Sequence, residues 1–171
     1  MKTIQRFLAL DERLSQQSRI AERPGLLRTS AAILAHSGDS WFWLSGLLVL
    51  WLLGNAYWKE RATILIVGIL VTAVLVMTVK FTIRRKRPAG EWGAIYRATD
   101  PHSFPSGHAA RAFLLAVLAL GLGPLWLGFL LLVWAPLVSL ARVAMGVHYL
   151  SDVLAGMLVG VVMGVVVLLV V

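Results

Sequence analysis

The chain has no cysteine, and only eight acidic residues stand against sixteen lysines and arginines. Without thiols it can form no disulfide and use no cysteine nucleophile, although this leaves its compartment open. The few carboxylates are scattered rather than paired, so none is set out to hold magnesium between phosphates, and His36 and His102 have no ligand partners at useful spacing. No metal and no cofactor are expected. Charge of either sign is scarce: 14% charged residues beside 59% apolar ones is too greasy for an ordinary soluble domain. There is no internal repeat or low-complexity segment. The N-terminus has no apolar stretch ahead of a small-residue cleavage site, so it does not read as a secretory signal.

What is present is apolar sequence in long runs, at residues 41–57, 62–79, 109–120, 125–140 and 153–171. Most approach the roughly 20 residues that a helix needs to cross a hydrocarbon core. The third run is short but lengthens if Ser106-Gly107-His108 is added at its start, which places those polar residues at the membrane edge. Gly121-Leu122-Gly123-Pro124 reads as a helix stop followed by a start, the turn of an antiparallel hairpin. The expected fold is all-α, a polytopic membrane helix bundle with five transmembrane helices plus an N-terminal interfacial helix. Residues 31–35 are too few to span and read as interfacial, with a sixth crossing as the alternative.

Residues 1–40 then form a basic interfacial segment and 41–171 the membrane-embedded helix bundle, where any catalytic groups would have to lie. In the first segment Ile4, Phe7, Leu8 and Leu14 recur at partly helical spacing among basic residues, which suggests a helix lying on the bilayer, interrupted at Asp11. A solvated basic tail is the other reading. The net charge of +8 would raise nucleic acid as a partner of a soluble protein. Here the cations flank spans, so the expected counter-charge is the anionic head groups of the bilayer, with no nucleic acid.

Three polar clusters interrupt this background: Lys80 to Arg87-Pro88, Pro105-Ser106-Gly107-His108, and Arg142 followed by His148 and Asp152. Ionisable groups at membrane depth are costly, so each is a functional candidate. Five crossings put the N-terminus, the 80–106 loop and the 142–152 turn on one side of the membrane. The 58–61 connection, the 121–124 turn and the C-terminus fall on the other. All three clusters can then meet.

His148 and Asp152 are four apart, so if the last helix begins near Val147 both lie on one face, and the carboxylate can orient the imidazole. One ring nitrogen is then held and the other is free to attack, as in an oriented nucleophile or base. Taken alone, Asp152 could equally be a helix-start carboxylate favoured by the dipole. Arg142 ends the preceding helix and offers a planar fork for phosphate oxygens; on its own it would pass for a snorkelling arginine. In the central cluster, Ser103 or Ser106 can cap a helix, Gly107 lets another group approach closely, and the free backbone donors of a helix start attract anions. His108 would stand beside such an anion with a proton ready for a leaving oxygen. The bland reading there is a cap with an exposed histidine. Arg84, Arg85 and Lys86, between Lys80 and Arg87, read as a basic membrane flank.

Lys80 with six residues before Arg87-Pro88, Pro105-Ser106-Gly107-His108, and Arg142 with five residues before His148 and three more before Asp152 together resemble the three-part signature of the type 2 phosphatidic acid phosphatase family of membrane lipid phosphatases. The resemblance implies that His148 is the nucleophile forming a phosphohistidine, Asp152 its orienting partner and His108 the general acid. It implies that Lys80, Arg87, Ser106, Gly107 and Arg142 cradle the phosphoryl oxygens, and that no metal is used. In one place the chain departs from the family pattern: Ala141 stands where the family usually has serine.

A phosphate-cutting site at a membrane edge implies a phosphorylated membrane lipid as substrate. Phosphatidylglycerol phosphate, phosphatidic acid, a polyprenyl diphosphate and a lipid A phosphate all qualify. The alternatives are a lipid phosphotransferase using the same phosphohistidine and a non-enzymatic transporter or scaffold; a soluble vanadate-dependent haloperoxidase conflicts with the spans. The expected location is the inner cell membrane. The excess of Lys and Arg on the site's side, which persists without Lys80, Arg87 and Arg142, points to its cytoplasmic face. The sequence leaves the oligomeric state open.

Overall fold

The computed structural model describes residues 2–90, 92 and 98–171; the side chain of Lys2 and the middle of the 80–106 loop lie outside the described residues. Among the described residues there are seven helices: α1 (Lys2–Gln17), α2 (Leu26–Ser37), α3 (Ser40–Leu53), α4 (Ala56–Ile83), α5 (Gly107–Leu122), α6 (Leu125–Ala144) and α7 (Leu150–Val170). The five expected apolar runs correspond to α3 through α7. By length and composition α4, α6 and α7 are able to cross a membrane, while α3 and α5 are shorter apolar helices. Leu130, Val133, Leu154 and Leu158 are exposed along α6 and α7, so the bundle turns apolar side chains outward as a lipid-facing surface does.

Local chemistry moves several helix ends away from where the apolar pattern puts them. The Asn55 side chain accepts from the Trp58 N–H at 3.2 Å and caps α4, so the helix starts at Ala56. The connection between α3 and α4 is therefore Gly54-Asn55, and residues 58–61, expected to be that connection, lie in the first turns of α4. Arg61 is tolerated there because its guanidinium stacks on the Tyr57 ring at 3.4 Å and donates to the Leu122 carbonyl at 2.6 Å. At its other end α4 passes Lys80 and stops at Arg84, which adopts a left-handed conformation with φ 54°.

The centre of the bundle is α5, whose Ala109, Ala110, Ala112, Ala116 and Ala119 are buried. Against it α7 sets Gly156, Gly160 and Gly164 at four-residue spacing. A Cβ at Gly160 would run into the Ala110 carbonyl, one at Gly156 into the Ser106 carbonyl, and one at Gly164 would lie 2.7 Å from the Val117 Cβ. Backbones can approach this closely only where side chains are missing, which is how helices associate when lipid supplies no hydrophobic drive. Gly160→Val is accordingly expected to lower the melting temperature of the detergent-solubilised protein, at a cost of about 1–3 kcal/mol or more from overpacking. An unchanged melting curve would show that the α5–α7 contact is looser than this.

The N-terminal helices are fastened to the same end of the bundle. α2, at twelve residues, spans about 18 Å at 1.5 Å per residue. It lies against the end of α6, with Ala31 and Ala35 packed beside Ala141 and Met145. Asp11, which interrupts the apolar pattern of α1, is buried at 6% exposure. Its carboxylate accepts from the Ser151 N–H at 3.0 Å, and Ser15 Oγ accepts from the Leu150 N–H at 2.9 Å. A helix start leaves its first N–H groups without partners, and α1 supplies the acceptors for α7.

Candidate active site

The C-terminal ends of α2, α4 and α6 and the starts of α3, α5 and α7 converge around a cavity of about 170 Å³. It is lined by Lys80, Arg87, Gly107, His108, Arg142 and His148 together with Ser40, Asp100 and Arg111. Six of the eight residues singled out from the sequence thus share one cavity. Ser106 and Asp152 lie just behind it, both with no exposed surface.

Ser106 is the N-cap of α5, its Oγ accepting from the Ala109 N–H, and its own N–H donates to the Asp152 carbonyl at 2.9 Å. That bond ties the start of α5 to the start of α7. Gly107 and His108, the first two residues of α5, face the cavity, where a helix start favours an anion.

His148 sits in the turn between α6 and α7, which Gly146 permits by adopting φ +67°. Its Nε2 is 3.2 Å from Nη1 of Arg87, which also donates to the Val147 carbonyl at 2.9 Å. A guanidinium can only donate, so this contact requires a lone pair on Nε2 and puts the ring proton of a neutral imidazole on Nδ1. Nδ1 is 3.5 Å from Asp152 Oδ2 and forms no hydrogen bond among the described residues. Burial pushes the imidazole down to about 3 against the opposing pull of Asp152, and Arg87 and Arg142 add to the depression. The ring is neutral at pH 7.

The last helix begins at Leu150 rather than near Val147, so His148 and Asp152 do not share a helical face. The reason is the second duty of Asp152. Its Oδ2 accepts from the Tyr149 N–H at 2.9 Å, in the reciprocal arrangement of a capping box, which fixes Tyr149 as the N-cap and leaves His148 outside. Asp152 thus caps the start of α7, and the same Oδ2 faces His148 Nδ1 at 3.5 Å with no hydrogen bond between them.

Lys80 is buried at 2% exposure and bonds Asp100, whose Oδ2 also receives Nη2 of Arg87 at 2.7 Å. Arg87 Nε donates to the Asp100 carbonyl at 2.7 Å. An antiparallel bridge between Lys86 and His102 holds this stretch, and Lys80 Nζ donates to the His102 carbonyl at 3.1 Å. Burial draws the Arg87 guanidinium below its ordinary range while Asp100 opposes the shift. Arg142, in the last turn of α6, is almost wholly buried at the cavity wall. Ala141 faces away from it, into the alanine cluster with α2, where a small apolar residue fits.

Four residues of this site were not singled out in the sequence. Asp100 is a lone loop carboxylate with no local signature. Arg85, placed in a bland basic flank, instead donates to Asp152 Oδ1 and to Asp11 Oδ2, each at 2.7 Å, and stacks on Tyr149 at 4.0 Å. Arg111 did carry a signal, since it is a cation inside an apolar run; it donates from Nε to the Gly38 carbonyl at 2.9 Å. Asp39, the N-cap residue of α3, pairs its Oδ1 with His108 Nε2 at 2.7 Å. Burial alone would raise its pKa, but hydrogen bonds from His108 and His36 hold it well below the ordinary carboxylate range.

An apolar helix bundle with a buried, cation-lined pocket and two imidazoles beside carboxylates at one end has the make-up of a membrane enzyme of phosphate esters. The chain belongs to the PAP2 superfamily, whose family model matches residues 61–171. It is 35% identical over 147 residues to the decaprenylphosphoryl-5-phosphoribose phosphatase of Mycobacterium tuberculosis, covering 82% of this chain and 77% of that one. It is 30% identical over 150 residues to the undecaprenyl-diphosphatase of Sulfolobus acidocaldarius, covering 85% and 69% of the two chains. The crystal structure of Aquifex aeolicus LpxE superposes with a TM-score of 0.73 at 28% identity, covering 91% of this chain and 93% of that one. The protein is a multi-pass membrane lipid phosphate phosphatase.

Proposed function

We propose that this enzyme hydrolyses lipid phosphomonoesters or diphosphates through a phosphohistidine on Nε2 of His148, without a metal, and that polyprenyl-linked phosphates are its substrate class. The observation that carries the mechanism is the His148 ring: neutral, buried, with its Nε2 lone pair at the Arg87 guanidinium inside a pocket of cations. Asp152 and the Asp100-bound pair of Lys80 and Arg87 supply the rest of the geometry.

In the first step Nε2 attacks phosphorus in line with the ester oxygen. The P–O bond breaks, its electron pair stays on the leaving oxygen, and His108 gives that oxygen a proton. As Nε2 bonds to phosphorus the imidazole becomes cationic, with Nδ1–H facing the anionic Asp152. Lys80, Arg87, Arg142 and the start of α5 stabilise the charge spread over the equatorial oxygens. Asp100, which now holds Lys80 and Arg87, marks where an anion is welcome and gives way to the phosphate. In the second step water attacks the phosphohistidine, its proton passes to His108, and inorganic phosphate departs.

The lipid substrate is supported by a second cavity. An apolar cleft of about 580 Å³, lined by Trp43, Leu47, Leu115, Leu118 and Leu131 among others, begins one helical turn along α5 from Arg111 and fits a hydrocarbon chain. The polyprenyl class is favoured by what the Mycobacterium and Sulfolobus relatives are named for. The preponderance of Lys and Arg on the side of the site supports a cytoplasmic catalytic face in the inner membrane.

The test is phosphate release by the purified protein in detergent with EDTA, from a panel of polyprenyl, glycerolipid and lipid A phosphates, with vanadate as a competing phosphate mimic. Release with EDTA present, fastest on polyprenyl substrates and blocked by vanadate, is expected. A requirement for added divalent cations, or transfer of the label to a lipid acceptor in place of water, would overturn the proposal.

A further inference from the structure

We propose that Asp39 is the positioning residue of the leaving-group acid, binding His108 through Nε2 so that Nδ1 is the atom that hands over the proton. The inference rests on the phosphatase mechanism above and adds a residue to it. Asp39 lies outside residues 61–171, the part of the chain that the family model matches.

The geometry begins at the α2–α3 junction. Asp39 Oδ1 is 2.7 Å from Nε2 of His108, while its other oxygen accepts from Trp41 Nε1 at 3.3 Å and meets His36 Nδ1 at 3.1 Å. Both carboxylate oxygens are therefore held, on two sides. The ring is held too. A Cβ on Gly38 would sit 3.3 Å from His108 Cδ2 and 2.8 Å from Val138 Cγ1, so only glycine lets this junction press against the Nε2–Cδ2 edge. Arg111 bonds the Gly38 carbonyl and fixes the junction from below. With that edge covered, the Nδ1–Cε1 edge is the one left for the cavity that His108 lines.

The cavity is otherwise hostile to a protonated imidazole, since Lys80, Arg87, Arg111 and Arg142 all line it. Asp39 is the carboxylate in contact with the ring and opposes them. A carboxylate on one ring nitrogen fixes the tautomer and supports the cation; at His148 the nitrogens are exchanged, with Arg87 on Nε2 and Asp152 facing Nδ1. When Nδ1 gives its proton to the leaving oxygen, the ring is left neutral with Nε2–H on Asp39. Attack by water returns a proton to Nδ1, so each turnover closes with Asp39 unchanged.

The experiment compares two phosphomonoesters of matched alkyl chain, one of an alkanol and one of an alkyl-substituted nitrophenol, whose leaving group departs without needing a proton. Asp39→Asn is expected to lower kcat/KM, which reports the first transfer step and not the shared water step, by roughly tenfold to a hundredfold on the alkanol ester, at or below the about 10²- to 10⁴-fold that general acid catalysis contributes, with vanadate inhibition little changed. On the nitrophenyl ester the loss should be only a few-fold, and Asp39→Glu should recover part of the alkanol activity. An equal loss on both esters, or no loss on either, overturns the assignment of Asp39 while leaving the phosphatase intact. A wild-type protein that releases phosphate from neither ester overturns the mechanism itself. Melting curves of both variants in detergent separate these outcomes from misfolding, and Asp39→Asn keeps the shape that the junction requires.

Discussion

His148→Ala is expected to abolish phosphate release, with kcat lower by about 10⁴-fold or more, because a covalent route loses its only nucleophile. The variant should still fold. The His148 Nδ1 forms no hydrogen bond among the described residues, and removing the ring takes from Arg87 only one of several partners, which include Asp100 and the Val147 carbonyl. Two measurements check it. Phosphate release in detergent should fall to background on alkanol and nitrophenyl esters alike, which separates loss of the nucleophile from loss of the acid. Brief incubation with ³²P-labelled substrate should leave an acid-labile, base-stable label on the wild type and none on the variant. Release near the wild-type rate from His148→Ala would mean that water attacks the ester directly and that the phosphohistidine does not exist.

The second large effect is at Arg142. In the proposed mechanism the buried guanidinium at the cavity wall meets charge that grows as the phosphoryl group transfers, and removing one such donor costs about 10²- to 10³-fold in kcat. Arg142→Ala should therefore lower kcat and weaken substrate and vanadate binding together, since the same fork holds ground state and transition state. Arg142→Lys should recover little, because an ammonium is a single point of charge and cannot present two parallel donors. Steady-state kinetics and vanadate inhibition read both effects. A variant that loses vanadate affinity but keeps kcat would assign Arg142 to capture alone.

Much of this was legible in the sequence because the physics involved is local or periodic. A stretch of apolar residues long enough to satisfy its backbone in lipid has to be a helix, so α4, α6 and α7 could be read from length alone. Ser106 before Gly107 was legible as a cap, and Lys80, His108, Arg142 and His148 stood out because polar residues are expensive at a membrane edge, while Arg87, in a basic stretch, stood out only by its place in the three-part signature. What was misread was also local, but turned on competition between neighbours. Asn55 captured the start of α4 ahead of the more polar residues 58–61, and Asp152 fixed the start of α7 at Leu150 by capping Tyr149.

Asp39, Asp100, Arg85 and Asp11 carried no such signal. Each is an ordinary charged residue in a stretch where charge is cheap, and each acquires its meaning from a partner far along the chain: Asp39 from His108, Asp100 from Lys80 and Arg87, Arg85 and Asp11 from each other and from Asp152 and Ser151.

By itself, then, the sequence determined that this chain is a membrane helix bundle with cations and imidazoles at one edge, because burial in lipid penalises every polar group and so makes each one visible. Only the tertiary structure decided that Asp39 faces His108 and that Arg87 meets Nε2 of His148, the contacts on which the proposed roles of the ring nitrogens rest. Hydrogen bonds between distant residues depend on where helix ends meet, and the α5–α7 backbone contact set by Gly156 and Gly160 is what brings those ends together.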